Sequence, residues 1–204
     1  MGFYQDRIVP HLVNWAMRNS QLEPYRERVA SAAEGRVLEV GIGSGLNLAF
    51  YRQRVSDVLG LEPSVRLIAM TRKVATRLRL NLTLIEASAE AIPLDRRSID
   101  TVVTTWTLCT IPDALGALGE MRRVLRPGGQ LLFVEHGLAP EAKIRKWQNR
   151  LNPIWKKIGG GCHLNRPIRE LIETAGFEVT HLETSYMEGP KLINFFYQGC
   201  ARPK

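Results

Sequence analysis

The chain reads as a doubly wound α/β protein built on a mostly parallel sheet. Three observations predict this. Apolar runs beginning near Arg36, Val55, Leu82, Ile99 and Gln130 alternate with segments of helical period, and such alternation implies parallel strands covered by helices on both faces. The first run, Val37-Leu38-Glu39-Val40, passes straight into Gly41-Ile42-Gly43-Ser44-Gly45-Leu46-Asn47, a strand–glycine turn–helix pattern that α/β proteins use to hold a nucleotide-like ligand. The 204 residues, 45% hydrophobic and 24% charged, suit one domain with a single large core.

In chain order, residues 1–34 read as a helical extension, with Ile8, Val9, Leu12, Val13, Ala16 and Met17 at helical spacing. Residues 35–136 form the ligand-binding core. Within it, Ser64 caps a helix from Val65 to about Leu80, whose Val65, Ile68, Ala69 and Val74 share one face. Pro112-Asp113 opens another helix, ended by Arg126-Pro127-Gly128-Gly129. Residues 137–175 are an insertion in which Ile144, Trp147, Leu151, Ile154, Trp155 and Ile158 recur every three or four positions beside Lys143, Arg145, Lys146, Arg150, Lys156 and Lys157. Pro153 limits this stripe to two shorter helices or one kinked helix. In residues 176–204, Phe177 to Leu182 alternates as an edge strand does, and Leu192 to Tyr197 reads as the last strand.

The glycines let the backbone bend sharply and let a ligand approach main chain where a Cβ would clash. A dinucleotide fingerprint requires Gly-x-Gly-x-x-Gly, and its third glycine position is Leu46. Glu39, just before the turn, repels a pyrophosphate and suits a cation. The turn therefore reads as a site for an adenosine carrying a positive group.

These residues resemble the first motif of the class I S-adenosylmethionine-dependent methyltransferases. Val58-Leu59-Gly60-Leu61-Glu62-Pro63, Ala87-Ser88-Ala89-Glu90-Ala91-Ile92-Pro93, Ile99 to Thr105 and Val124-Leu125-Arg126-Pro127-Gly128-Gly129-Gln130 resemble its later motifs, in order. The resemblance implies a Rossmann-like sheet of seven strands in the order 3-2-1-4-5-7-6, the last antiparallel, with S-adenosyl-L-methionine as cofactor and S-adenosyl-L-homocysteine as product. It implies that Glu39, Gly41, Gly43, Gly45 and Asn47 form the methionine-side loop. Glu62, followed by Pro63, binds ribose; Ser88, Ala89 and Glu90 border the adenine, and Thr105 closes the fourth strand beside the cofactor. It also implies an N-terminal segment that either packs on the sheet or acts as a lid.

The acceptor then approaches beyond the carboxyl ends of the fourth and fifth strands, where Thr105-Trp106-Thr107-Leu108-Cys109 and Glu135-His136-Gly137 stand. His136 is the candidate base or substrate-orienting group, against the alternative of a histidine that merely hydrogen-bonds across the sheet top. Trp106 is the candidate wall beside the methyl group. Cys109 is a pocket residue and not a nucleophile, since direct transfer needs no covalent enzyme intermediate.

Trp147, Leu151-Asn152-Pro153-Ile154-Trp155 and Gly161-Cys162-His163-Leu164-Asn165-Arg166 carry a narrower resemblance, to the methyltransferase-like branch whose animal members methylate small thiols. That branch reads Cys-Asn-Leu-Thr-Arg where this chain has Cys162-His163-Leu164-Asn165-Arg166. His163 and Asn165 are therefore candidate pocket residues, with Cys109, Trp147 and Arg166. The expected reaction is S-methylation of hydrogen sulfide or methanethiol, giving methanethiol or dimethyl sulfide. The alternatives are N-methylation of phosphatidylethanolamine at a membrane surface, C-methylation of a quinone, or a regulatory protein that only holds the cofactor.

Three widely spaced cysteines without a Cys-x-x-Cys pair argue against a disulfide framework and against a metal site, and favour a reducing cytoplasm. The net charge of +8 is spread along the chain with no nucleic-acid module. It is expected to mark solvated helix faces, with weak peripheral membrane contact as the sharper alternative. An apolar N-terminal anchor like that of the animal proteins is not expected, and the chain is expected to be a monomer or homodimer.

Overall fold

The computed structural model describes residues 9–78 and 80–204. The expected positions 1–8 of the N-terminal extension, Ile8 among them, lie outside the described residues, as do Arg79 and the side chains of Val9 and Val13. Two helices come first, α1 (Val9–Met17) and α2 (Glu23–Ser31), joined through a 3₁₀ turn at Ser20–Leu22. There follow β1 (Gly35–Val40), β2 (Val55–Leu61), α3 (Val65–Leu78), β3 (Leu82–Ile85), β4 (Ile99–Thr105) and α4 (Ala114–Val124). The chain ends with β5 (Leu125–His136), α5 (Ala142–Ile158), α6 (Ile168–Thr174), β6 (Phe177–Tyr186) and β7 (Phe195–Pro203).

The strands form one seven-stranded sheet in the order β3-β2-β1-β4-β5-β7-β6. The β1–β2, β1–β4, β2–β3 and β4–β5 pairs are parallel, and β7 alone runs against its neighbours β5 and β6. Period-two alternation divides the core between the two faces. Leu38, Val40, Val102, Leu131 and Phe133 meet Leu118 and Met121 of α4 and Ile168 and Ile172 of α6. Val37, Val103, Leu132 and Val134 point the other way, onto Val29 of α2 and Ala33, while Ala75 of α3 packs with Ile42, Leu48 and Val58.

Local chemistry sets the element ends. Ser64 Oγ accepts from Leu67 N at 3.5 Å, and α3 stops two residues short of the expected Leu80. Asp113 caps α4 by accepting from Gly116 N at 2.9 Å. The extended chain resumes at Leu125, so Arg126-Pro127-Gly128-Gly129 forms the irregular start of β5, with Gly128 at φ +80°. The last strand begins at Phe195, later than expected, because Ile193 N closes a turn onto Pro190 O at 3.1 Å and Asn194 donates to Glu188 O. The insertion keeps one helix through Pro153.

The larger departure follows the glycine turn. Instead of an α-helix, residues 41–54 make successive turns and one 3₁₀ turn at Leu48–Phe50. The Asn47 and Tyr51 side chains both turn back to Glu39, and Tyr51 is extended at φ −65°, ψ 136°, which a continuing helix would forbid.

Helix α4 offers a direct test of this packing. Leu118 is completely buried whereas Leu115, on the same helix, is 43% exposed. Leu118→Ala is expected to cost about 2–5 kcal/mol of unfolding free energy and Leu115→Ala under about 0.5 kcal/mol, read from urea unfolding midpoints. Equal losses would overturn the assigned packing face.

Candidate active site

Three glycines in the turn after β1 take left-handed backbone: Gly41 (φ +70°), Gly43 (φ +57°) and Gly45 (φ +79°). They do different work. A Cβ on Gly41 would lie 2.4 Å from the Thr107 side chain, and one on Gly45 would press on Leu48 and Thr71. At Gly43 the nearest atom would be Gly41 O at 3.8 Å, so that residue leaves open space on the outer side of the loop.

Glu62, at the end of β2, faces this loop. Its Oε2 accepts from Gly43 N at 3.1 Å and its Oε1 from Ser64 N at 3.0 Å. Each oxygen keeps a lone pair for a further donor. Burial raises this carboxyl above its usual range, against the two amides. Pro63 is exposed beside it. In the loop after β3, Ala89 is buried, Ser88 donates to Glu90 Oε2 at 3.2 Å, and Glu90 Oε1 accepts from Asp113 N at 2.8 Å. A left-handed glycine cradle beside a buried acid with spare acceptors fits a nucleoside ribose against main chain. S-adenosylmethionine fits this donor set: the 41–47 loop and Glu62 would hold it, with residues 88–90 at the neighbouring strand end.

Glu39 is buried behind the loop. Asn47 Nδ2 donates to its Oε1 at 2.8 Å and to Thr105 Oγ1 at 3.0 Å, while Tyr51 OH donates to its Oε2 at 2.7 Å. Burial lifts the carboxyl to about 7, opposed by Tyr51, Arg26 and Asn47. Arg26, on α2, donates to Asn47 Oδ1 at 2.9 Å and to Met17 O at 3.1 Å, and its guanidinium stacks 4.7 Å from the Trp106 ring. Burial lowers this guanidinium to about 10. The N-terminal helices are thereby tied to the glycine loop through one arginine, which the spacing of apolar residues gave no means to single out.

At the ends of β4 and β5, Trp106 adopts φ +51°, uncommon for a bulky residue, with its N bonded to Val134 O at 2.8 Å. Its ring meets Phe196 edge-on at 6.0 Å, and Phe196 in turn lies 6.2 Å from the His136 ring. Glu135 is wholly buried: Oε1 accepts from Thr104 Oγ1 at 2.8 Å and Thr107 N at 3.1 Å, and burial raises the group to about 7. His136 is buried, with Nδ1 3.7 Å from Cys162 Sγ and Nε2 without a hydrogen-bond partner among the described residues. Cys109 is buried next to Cys162, its thiol directed at Trp106 O.

Of the other expected pocket residues, His163 and Arg166 serve this corner through backbone. His163 N and Nδ1 both donate to Cys109 O, at 2.8 and 3.1 Å. Arg166 donates to Leu108 O, Ile111 O and Pro112 O. Asn165 instead bonds Asn149 on the surface. Trp147 is turned away, 47% exposed beneath the Arg150 guanidinium. The inward position on α5 is Gln148, whose amide meets Ala139 N, Gly137 O and Leu192 O, so the adjacent Trp147 must face outward. Cys162 was not singled out as a site residue, although it is one of three residues, with Leu164 and Arg166, shared with the resembled Cys-x-Leu-x-Arg run.

Residues 38–133 match the methyltransferase domain family. That match and the methyltransferase relatives identify a methyltransferase domain that uses S-adenosylmethionine, and the sheet order has the fold of solved class I enzymes. More particularly, the chain is 37% identical over 154 residues to thiol S-methyltransferase TMT1B of Rattus norvegicus, covering 74% of this chain and 63% of that protein. It is 34% identical over 119 residues to the phosphatidylethanolamine N-methyltransferase of Cereibacter sphaeroides, covering 56% of this chain and 58% of that one. The chain thus spans less than two thirds of the length of either relative. A solved SAM-dependent methyltransferase from Thermotoga maritima matches with TM-score 0.69 at 21% identity, over 98% of this chain and 100% of the other, which bears on fold alone.

Two tests address the cofactor end. Glu62→Ala is expected to weaken S-adenosylmethionine binding by about 1–3 kcal/mol, the usual cost of losing hydrogen bonds to a charged group. Unchanged calorimetric affinity would sink the ribose assignment. At Glu39, the folded protein keeps its proton up to about pH 7, whereas the unfolded chain releases it near the ordinary value of 4.5. Folding therefore takes up a proton within that window, and this group makes stability fall as pH rises through it. Glu39→Gln is expected to flatten the fall in urea midpoint between about pH 5 and about pH 7.5; a profile parallel to wild type would refute the assignment.

Proposed function

We propose that the protein S-methylates a small thiol, hydrogen sulfide or methanethiol, with S-adenosylmethionine as donor. The observation that carries this reading is the soft, aromatic-walled corner where His136 Nδ1 stands 3.7 Å from the Cys162 sulfur. Cys109 stands alongside, and Phe196 joins the Trp106 and His136 rings. Its place beyond β4 and β5 is where an acceptor meets the cofactor in doubly wound sheets. The likeness to thiol S-methyltransferase TMT1B supports it.

The cofactor, when bound, supplies a methyl group on a sulfonium that is already a good leaving group. The chain's task is alignment and exclusion of water. A thiol titrates near ~8.5 and is partly ionised at neutral pH, so it needs less help from a base than a carbon acid or hydroxyl does. Trp106 and Phe196 keep the corner dry, and the unpartnered Nε2 of His136 is the polar group free to orient the acceptor.

A second reading has its own observation. Helix α5 exposes Trp147, Ile154 and Ile158 next to Lys146, Arg150 and Lys157, a pattern suited to an anionic lipid surface, and one relative is named for phosphatidylethanolamine. Among the described residues no helix is long and apolar enough to cross a membrane.

Isotope-labelled methyl offered in parallel to sulfide, methanethiol and phosphatidylethanolamine vesicles separates the two. Label is expected in methanethiol and dimethyl sulfide; label in lipid alone overturns the thiol reading. His136→Ala is expected to lower turnover on the thiol by about 10²-fold, the scale of a misplaced reactant, with cofactor affinity unchanged. Unaltered turnover would make His136 structural.

A further inference from the structure

We propose that Cys109, His136 and Cys162 form a three-ligand site for a soft divalent cation of the zinc class, whose fourth position takes the sulfur of the acceptor. The inference rests on the thiol reading for that fourth ligand, but not for the metal site itself.

Three separate elements supply the donors: Cys109 follows β4, His136 ends β5, and Cys162 lies in the loop between α5 and α6. Their donor atoms all lie within 4.8 Å of one another, and the Cys162 Sγ to His136 Nδ1 separation is 3.7 Å. In a tetrahedral zinc site, with Zn–S about 2.3 Å and Zn–N about 2.0–2.1 Å, two ligand atoms stand roughly 3.5–3.8 Å apart. One edge of the triangle therefore already has ligand spacing, and small side-chain rotations close the others.

The backbone holding the donors is fixed before any ion arrives. His163 N and Nδ1 both bond Cys109 O, which locks the Cys162 loop to the Cys109 turn. Arg166 clamps the same turn through Leu108 O and Ile111 O, and Asn152 Oδ1 accepts from Leu164 N at 2.8 Å. The buried Trp155 indole N–H has no hydrogen-bond partner among the described residues.

Two sulfurs and one imidazole nitrogen select a borderline-soft ion. Three protein ligands also leave the open position that distinguishes catalytic zinc from structural zinc. Cys109, just past the end of β4, and His136, at the end of β5, stand on the acceptor side in doubly wound sheets. A thiol entering the open position loses its S–H proton to solvent and binds as thiolate. Its sulfur lone pair then forms the bond to the methyl carbon as the sulfonium carbon–sulfur bond breaks, leaving that pair on the departing thioether. The methylated acceptor carries no charge, is the weaker ligand, and leaves. No oxidant or reductant is required.

The test uses the full chain, stripped with a chelator and reloaded with Zn²⁺ or Co²⁺ alone. Wild type is expected to hold one equivalent. Cys162→Ser is expected to weaken Zn²⁺ binding by about 10²-fold or more in competition with a chromogenic chelator, at unchanged S-adenosylmethionine affinity. Cobalt-loaded protein is expected to show thiolate charge-transfer absorption, and its ligand-field bands to shift on adding sulfide without methyl donor. Zn²⁺ is expected to raise the melting temperature of wild type but not of Cys162→Ser, a readout that does not depend on turnover. Zn²⁺ binding no tighter in wild type than in Cys162→Ser overturns the site. Undiminished thiol methylation by the stripped protein overturns the role of the fourth position and leaves the thiol reading standing. One bound equivalent without methyl transfer to any thiol supports the site and overturns the thiol reading instead.

Discussion

A carboxylate buried at the end of the first strand constrains much of what surrounds it. Glu39 has no access to water, so both of its oxygens need donors from the protein. Asn47 and Tyr51 supply them, and in turning inward they bend residues 41–54 into turns where a helix would otherwise start. Asn47 extends the same network to Thr105 on β4 and to Arg26 on α2. One buried acid thus joins the glycine loop, the central strands and the N-terminal helices. Its neighbour Glu62, also buried, keeps acceptor capacity on the side where Gly43 leaves space.

The acceptor corner follows from the parallel pairing of β4 and β5. Both strands end on the same edge, which brings Trp106 beside His136 and places Glu135 under the turn that carries Cys109. The left-handed backbone of Trp106 sends the chain abruptly across the sheet top, with its ring lodged between the Arg26 guanidinium and Phe196. Strain of this sort persists where the surroundings hold it, and it gathers at functional sites. The corner is therefore rigid at its base and walled by aromatic groups.

Much of this was legible residue by residue. The central strands announced themselves as apolar runs, and their adjacent residues, Val37 and Leu38 or Val102 and Val103, are buried on opposite faces of the sheet. Glu62 was singled out by its distance from the glycine turn and His136 by its place at a strand end; the structure sets the first against Gly43 N and the second beside Cys162. Where the reading erred, a side chain at longer range had intervened. Periodicity carried a helix past Gly45, but the pull of Glu39 on Asn47 and Tyr51 prevented it. Trp147 was a candidate pocket residue because it stands in the run that resembles the thiol-methylating branch; Gln148, bonded to three backbone groups, holds the inward position and Trp147 is exposed.

By itself, then, the sequence determined the sheet, the glycine cradle and the acid that faces it, because each depends on neighbours a few residues apart or on a fixed spacing along the chain. Only tertiary structure decided that Arg26 would reach Asn47, and that Cys109, His136 and Cys162 would converge. Their separations along the chain have no characteristic period. The contacts arise because parallel strands end together and the loop after α5 is pinned to the turn after β4 by the paired hydrogen bonds of His163 to Cys109 O. A Cys-x-x-Cys pair marks donors drawn from one loop; these three side chains come together from separate elements through the packing of the whole sheet.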